Sequence, residues 1–210
     1  MDTKDFVNDS NYAVEKRKMI DGKNKLIWRC PYFRVWAGMK MRCTNPGYQE
    51  KHPSYMDIQV CDDWLSFSNF TNWMKTQDYD GKVLDKDILS IFTDTKEYSP
   101  DNCAFISPQL NSYFVLRDRA RGPYYLGVGI DRRKTKQYSA SCNNGTGRSV
   151  FLGYFNTPEE AHKAWQLAKW EYGRELLSKQ SDPRVIQAMH IILHNLGEDL
   201  HAGRITEKLV

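Results

Sequence analysis

Two clusters in the middle of the chain carry residue types that can do chemistry on a phosphate. Asp85-Lys86-Asp87 is followed by Asp94-Thr95-Lys96. Read together, Asp85 or Asp87 with Asp94, Thr95 and Lys96 makes a D…D-x-K pattern. Two such carboxylates can hold Mg²⁺, whose charge activates water, while a lysine faces the phosphoryl oxygens. Asp87 and Lys96 are expected instead to stabilise the loop between the strands. Cys30, Cys43 and Cys61, with Cys103 or His52 as a fourth group, are zinc-ligand types. No C-x-x-C knuckle joins them, so buried free thiols are expected instead. His190 and His194 stand one helical turn apart with His201 following, which reads as a solvated polar face rather than a metal pair.

Charge points to a second kind of chemistry. The net charge is +4, but residues 113–155 carry Arg117, Arg119, Arg121, Arg132, Arg133, Lys134, Lys136 and Arg148 against only Asp118 and Asp131. Residues 1–112 and 156–210 are each net −1. A concentrated basic stretch attracts polyanions by its field and by counterion release, and nucleic acid is the expected partner. Five cysteines, odd in number and irregular in spacing, fit a reduced compartment better than a disulfide framework. The N-terminus is mixed in charge and lacks an apolar h-region, and no apolar run approaches the ~20 residues a membrane span needs. A cytoplasmic, non-membrane protein is expected.

Positioning these groups requires elements of both kinds. Residues 1–25 are weakly patterned and read as a frayed tail or irregular wrap. Trp28, Tyr32, Val35, Trp36 and Met39 have helix-like spacing, and a helix is expected to start near Pro31. Residues 43–55 read as a loop, and MDIQVCDDW as a short strand or turn. Ser66 or Ser68 caps a helix that presents Phe67, Phe70, Trp73 and Met74 to a core. A turn at Asp80-Gly81 leads to a strand at 82–85. A loop through Ser99-Pro100, a strand CAFI and a helix opened by Ser107-Pro108 follow. Segments 124–130, 136–142 and 148–155 read as three strands, the second alternating Tyr138, Ala140 and Cys142 with Gln137, Ser139 and Ser141. Thr157-Pro158-Glu159-Glu160 opens a helix whose stripe is Ala161, Ala164, Trp165, Ala168 and Tyr172. A last helix starts at Asp182-Pro183, buries Val185, Ile186, Met189, Ile192, Leu193 and Leu196, and stops at Gly197.

LGV at 126–128, YSASC at 138–142 and FLGYFNTPEEAHKAW at 151–165, with the helix through Tyr172, resemble the AP2 domain. That module binds DNA in plant transcription factors and occurs in phage and mobile-element endonucleases. The resemblance covers about a quarter of the chain. It implies three antiparallel strands on one helix, with the sheet in the major groove. Leu126 and Gly129 stand where plant members carry arginines, and Ser139, Ser141 and Asn143 replace charged readers. Arg132, Arg133, Lys134, Lys136 and Arg148 therefore suit phosphate anchoring. Arg117, Arg119 and Arg121 would follow an adjacent backbone or minor groove.

LDKDIL, YSPDNCAFIS and PQLN, between Trp64 and Asn111, resemble the HNH endonuclease family, in particular phage-type proteins that pair such a region with an AP2 domain. The resemblance implies a ββα unit with Asp85 and Asn111 as metal ligands, Asn102 ordering the loop, and Lys86 where the general-base histidine belongs. Lysine would need its pKa lowered by about 3 units from ~10.4 to act at neutral pH. Flanking Asp85 and Asp87 push it the other way.

The expected fold is α+β: a degenerate ββα HNH-like unit, then an AP2-like three-stranded antiparallel sheet packed on a helix, then a C-terminal helix. The expected divisions are 1–63 (helical or irregular), 64–116 (HNH-like), 117–178 (AP2-like) and 179–210 (C-terminal helical). The leading expectation is a double-stranded DNA-binding protein of phage or mobile-element type, in the host cytoplasm if phage-encoded, with its nuclease unit degenerate. One alternative is an active metal-dependent nicking or homing endonuclease using a divalent ion such as Mg²⁺. The other is a phage protein that inhibits a host nucleic-acid enzyme or defence system. The expected partners are double-stranded DNA, a host protein under the last alternative, and a second copy if the C-terminal helix makes a homodimer.

Overall fold

The computed structural model describes residues 5–93, 95–115, 123–146 and 148–210. The chain is mixed α+β, and it divides into two compact units, 1–105 and 106–210.

In the first unit, Asp9 pins the N-terminal segment to the start of a helix. Its carboxylate accepts from the Ser66 hydroxyl (2.7 Å), the Ser68 hydroxyl (2.6 Å) and the Ser68 amide (2.7 Å). These donors, Ser68 first, hold Asp9 down at about 2. Residues 15–29 are not part of an irregular wrap. They form an antiparallel hairpin, β1 (Glu15–Ile20) and β2 (Lys23–Arg29). The turn is Asp21-Gly22, both at positive φ (52° and 70°). Trp28 consequently lies in a strand, outside the helical stripe its spacing had suggested. Helix α1 (Pro31–Thr44) starts at the expected proline. The expected loop at 43–55 instead holds α2 (Pro46–Lys51), capped by Asn45, and a 3-10 turn at Pro53–Tyr55.

Strand β3 (Gln59–Val60) pairs in parallel with β5 (Glu97–Tyr98), and β4 (Val83–Asp85) pairs with β6 (Ala104–Ile106). A 3-10 turn, Ile88–Phe92, fills part of the expected loop between the strands. Ser66 caps α3 (Phe67–Lys75) through the Asn69 amide. Phe67, Phe70 and Met74 are buried, and half-buried Trp73 stacks on Phe105 at 5.6 Å. Trp36 and Trp64 complete this aromatic core, with the Trp36 indole N–H donating to the Trp64 carbonyl at 2.8 Å.

In the second unit, Ser107 caps α4 (Pro108–Tyr113). Strands β7 (Val128–Ile130), β8 (Tyr138–Asn143) and β9 (Ser149–Phe155) form an antiparallel meander. Helix α5 (Pro158–Leu177) crosses its inner face and α6 (Pro183–Ala202) packs on α5. Close approach of sheet and α5 is a glycine effect. Gly127 lies at φ +76°, and a Cβ there would fall 2.0 Å from Trp165 Cδ1. Helix α6 does not stop at Gly197. It runs on to Ala202 and ends at Gly203, whose φ of 66° is the left-handed C-terminal geometry. Of the expected stripe, Val185, Met189, Ile192, Leu193 and Leu196 are buried within this single chain, while Ile186 is half-buried.

Candidate nucleic-acid interface

Residues opposite one another in antiparallel strands share a face. Val128, Ala140 and Gly153 form one row across the meander, and this row faces α5. Gly129, Ser139 and Tyr154 form the next row on the outer face, with Ser141 beside Phe151. A strict two-residue period would put Phe151 and Tyr154 on opposite faces. Ala140 pairs with Gly153 but Ser141 pairs with Phe151, so β9 carries a bulge at Leu152-Gly153, with Gly153 at φ +138°. The bulge turns Leu152 inward to the core and leaves both rings outside. Phe151 is 57% exposed and Tyr154 36%, with ring centroids 5.0 Å apart. The alternation in β8 is as the sequence indicates, with Ala140 and Cys142 buried and Ser141 exposed.

Cations bracket this outer face at both ends. Arg132, Arg133, Lys134 and Lys136 occupy the exposed β7–β8 turn, and exposed Arg148 precedes β9 at the other end. From Pro123 to Phe155 Asp131 is the sole carboxylate. Arg133 binds it through two guanidinium contacts (Nε 2.8 Å, Nη2 3.0 Å) and a backbone amide, which hold it at about 2. Lys134 Nζ lies 5.8 Å from the Tyr154 ring, whose hydroxyl reaches Asp131 at 3.5 Å. Gly129 leaves room beneath the Ser139 hydroxyl, which a Cβ would meet at 3.0 Å. Arg117, Arg119 and Arg121 lie outside the described residues.

Hydrogen bonds behind the sheet tie it to α5 and to flanking segments. Thr157 caps α5 through the Glu160 amide, while the Glu160 carboxylate accepts from the Asn156 amide. Buried His162 joins three segments: its Nε2 accepts from the Thr206 amide (3.0 Å), so Nδ1 carries the proton and donates to the Leu126 carbonyl (2.9 Å). Asn143, at the end of β8, donates to the Ser112 carbonyl at 2.7 Å.

The expected nuclease residues are distributed differently. Asp85 is buried at the end of β4, and its Oδ1 accepts from the Asp87 amide (3.0 Å) and the Ile88 amide (2.8 Å), capping the 3-10 turn. Burial, reinforced by the Asp87 charge, pushes its carboxyl up to about 6 against the pull of those amides. Lys86 is ion-paired to Asp87 and lies 5.5 Å from the Tyr55 ring. Asn102 makes local hydrogen bonds, its Nδ2 donating to Thr95 Oγ1 at 2.9 Å and its amide to Ser99 Oγ at 3.3 Å. Asn111 is exposed on α4, in the other compact unit from Asp85. Asp94 lies outside the described residues, and Lys96 pairs through its backbone, its carbonyl accepting from the Gln59 amide. Among the described residues no three His, Cys, Asp or Glu side chains group to hold a metal ion. Cys30, Cys43, Cys61, Cys103 and Cys142 form no disulfide; Cys103 is fully buried one residue before β6. His190, His194 and His201 are exposed.

Sequence reasoning missed Phe151 and Tyr154 as surface residues, and the signal that could have found them is the glycine between them. Among the described residues no helix is long and apolar enough to cross a membrane. Compared with protein-family models, with curated proteins and with solved structures, the chain finds no match.

Proposed function

We propose that this chain binds double-stranded DNA through the outer face of β7–β9. The observation that carries the reading is the composition of that face. Two small hydroxyl residues and two exposed rings lie between cationic turns, and Asp131, the sole carboxylate from Pro123 to Phe155, is bound by Arg133. Cations at both ends suit phosphates on either side of a groove, and Ser139 and Ser141 suit hydrogen bonds to phosphate or base edges. Phe151 and Tyr154 suit sugar and thymine-methyl contacts. The AP2-like identity of the module, the phage or mobile-element origin and the cytoplasmic setting that go with it are parts of the same proposal.

The HNH-like segment enters this proposal as a scaffold without nuclease activity. Asp85 supports that reading because its Oδ1 caps a turn, and Lys86 because it is bound to Asp87.

The test is duplex binding by fluorescence anisotropy across about 50–200 mM salt. Arg132→Ala with Lys134→Ala and Lys136→Ala is expected to lower the slope of log K against log salt by roughly 2–3, at ~0.9 per lost phosphate contact. Phe151→Ala with Tyr154→Ala should weaken binding at every salt concentration while leaving the slope intact. An unchanged slope in the triple variant would remove the sheet as the DNA-binding surface.

A further inference from the structure

Among the described residues, β1 and β2 pair only with each other, and none of residues 16–28 belongs to the core of their own unit. Every residue from Lys16 to Trp28 is exposed, so both faces of the ribbon meet solvent. Met19 is 63% exposed, Ile27 53% and Trp28 42%. A two-stranded hairpin without a packed face is marginal in water. The composition of this one is therefore not explained by burial.

The register separates its two faces. Glu15–Arg29, Arg17–Leu26 and Met19–Asn24 are opposed pairs on one face. There the charges are settled internally, with Glu15 bound to Arg29 at 2.6 Å and to Arg17 at 3.4 Å. Lys16–Trp28, Lys18–Lys25 and Ile20–Lys23 are the opposed pairs of the other face. That face carries four lysines, one tryptophan and no carboxylate. Lys25 reaches Asp21 in the turn at 3.1 Å, and Lys16 Nζ lies 5.5 Å from the Trp28 ring. Lys18 directly opposite Lys25 is a like-charge pair, which weakens a ribbon unless an anion lies over it. The register shift at Ile27 places Trp28 on the lysine face, opposite Lys16.

We infer that the β1–β2 hairpin is a second duplex-DNA contact, its lysine face on phosphates and Trp28 against the groove. The major groove of B-DNA admits a two-stranded β-ribbon. Lysines two apart along a strand are spaced at roughly 6.5–7 Å, which lets successive side chains reach successive phosphates. From Glu15 to Arg29 the hairpin carries six Lys/Arg against two Asp/Glu, so charge complementarity selects a polyanion. The inference shares only its ligand with the sheet reading and uses different residues.

The experiment uses the full chain and the same anisotropy titration. Lys16→Gln, Lys18→Gln, Lys23→Gln and Lys25→Gln combined should lower the salt slope by roughly 3. All four changed to Arg should keep the wild-type slope, and Arg17→Gln on the opposite face should leave it nearly unchanged. A wild-type slope in the four-glutamine variant, alongside a reduced slope in the Arg132/Lys134/Lys136 variant, overturns the hairpin inference and leaves the sheet reading standing. The reverse pattern overturns the sheet reading and supports the hairpin. Wild-type protein that binds no duplex overturns both. Loss of binding to phosphatidylserine vesicles in the glutamine variant, with duplex binding intact, assigns the face to a membrane and overturns the inference.

Discussion

Asp85 and Lys169 are ionisable groups that folding moves away from water, and each leaves a pH signature. Asp85 has a folded pKa of about 6 against an ordinary 3.8 because it is buried. The folded state therefore holds that proton more tightly, and this stability contribution is complete below about pH 4 and lost as pH rises to about 6. Asp85→Asn should remove that slope while keeping the acceptor for the Asp87 and Ile88 amides, as read by urea midpoints from pH 4 to 7. Asp85→Ala should cost about 1–2 kcal/mol, as loss of a cap does. The same residue decides the enzyme question. Wild type and Lys86→His are both expected to leave plasmid DNA uncut in Mg²⁺ or Mn²⁺. Nicking by wild type that Asp85→Asn abolishes would reinstate the endonuclease reading. Lys169 shows the opposite sign. It is buried on α5 against Tyr113, with Nζ bonded to the Tyr113 carbonyl, and burial lowers its pKa from 10.5 to about 8. Its contribution is favourable above about pH 10.5 and is lost as pH falls through about 8, on the order of 3 kcal/mol. The difference in stability between wild type and Lys169→Met should show that rise between pH 8 and 10.5, and a flat difference would refute it.

At the scale of elements, the second unit depends on how closely α5 meets the sheet and the C-terminal tail. Gly127→Ala places a methyl inside the Trp165 ring and strains a positive φ, so it should destabilise by about 2–4 kcal/mol. His162→Ala leaves the Leu126 carbonyl and the Thr206 amide without their partner, at about 1–3 kcal/mol each. Thermal unfolding of the two variants measures both. A Gly127→Ala protein as stable as wild type would mean that α5 does not pack at this distance. The bulge in β9 is a different matter, because Gly153 sets which residues face outward rather than how tightly the sheet is held. In both hairpins of interest, a shift of one residue in pairing decides whether aromatic and basic side chains share a face.

At the scale of the whole molecule, the five thiols test whether the chain is a metal-free, disulfide-free protein. Burial pushes Cys43 and Cys142 each up to about 11, and Cys103 further still. These three should react slowly with a thiol reagent at pH 8 in the native state and at once in urea, since the thiolate is the reacting species. Stoichiometric zinc in purified protein, lost on Cys30→Ser, would contradict the free-thiol reading. The charge distribution belongs to this scale too. The surplus in residues 113–155 and that of the hairpin stand in different compact units, so if the two proposed contacts hold, duplex affinity should draw on both.

By itself the sequence determined the elements whose signals are local. Pro31, Ser66, Ser107, Thr157 and Asp182 each start a helix where their side chain or ring satisfies the first turn, and alternation in Tyr138–Cys142 marks a half-buried strand. Asp21-Gly22 is an equally local turn signal, since both residues need positive φ, but the flanking strands lack an apolar face whose alternation would mark them as strands. Gly197 does not end α6, because a glycine ends a helix only where the chain turns left-handed; here it sits mid-helix beneath Trp170, with a Cβ position 3.2 Å from the indole nitrogen. Only the tertiary structure decided the faces. Phe151 and Tyr154 share a surface because β9 bulges against β8, and Trp28 joins the four lysines on one face because β2 bulges against β1. Asp85 became a buried cap because the segment after β4 folds back over it. Pairing register and burial are relations between distant segments, and no spacing within one segment encodes them.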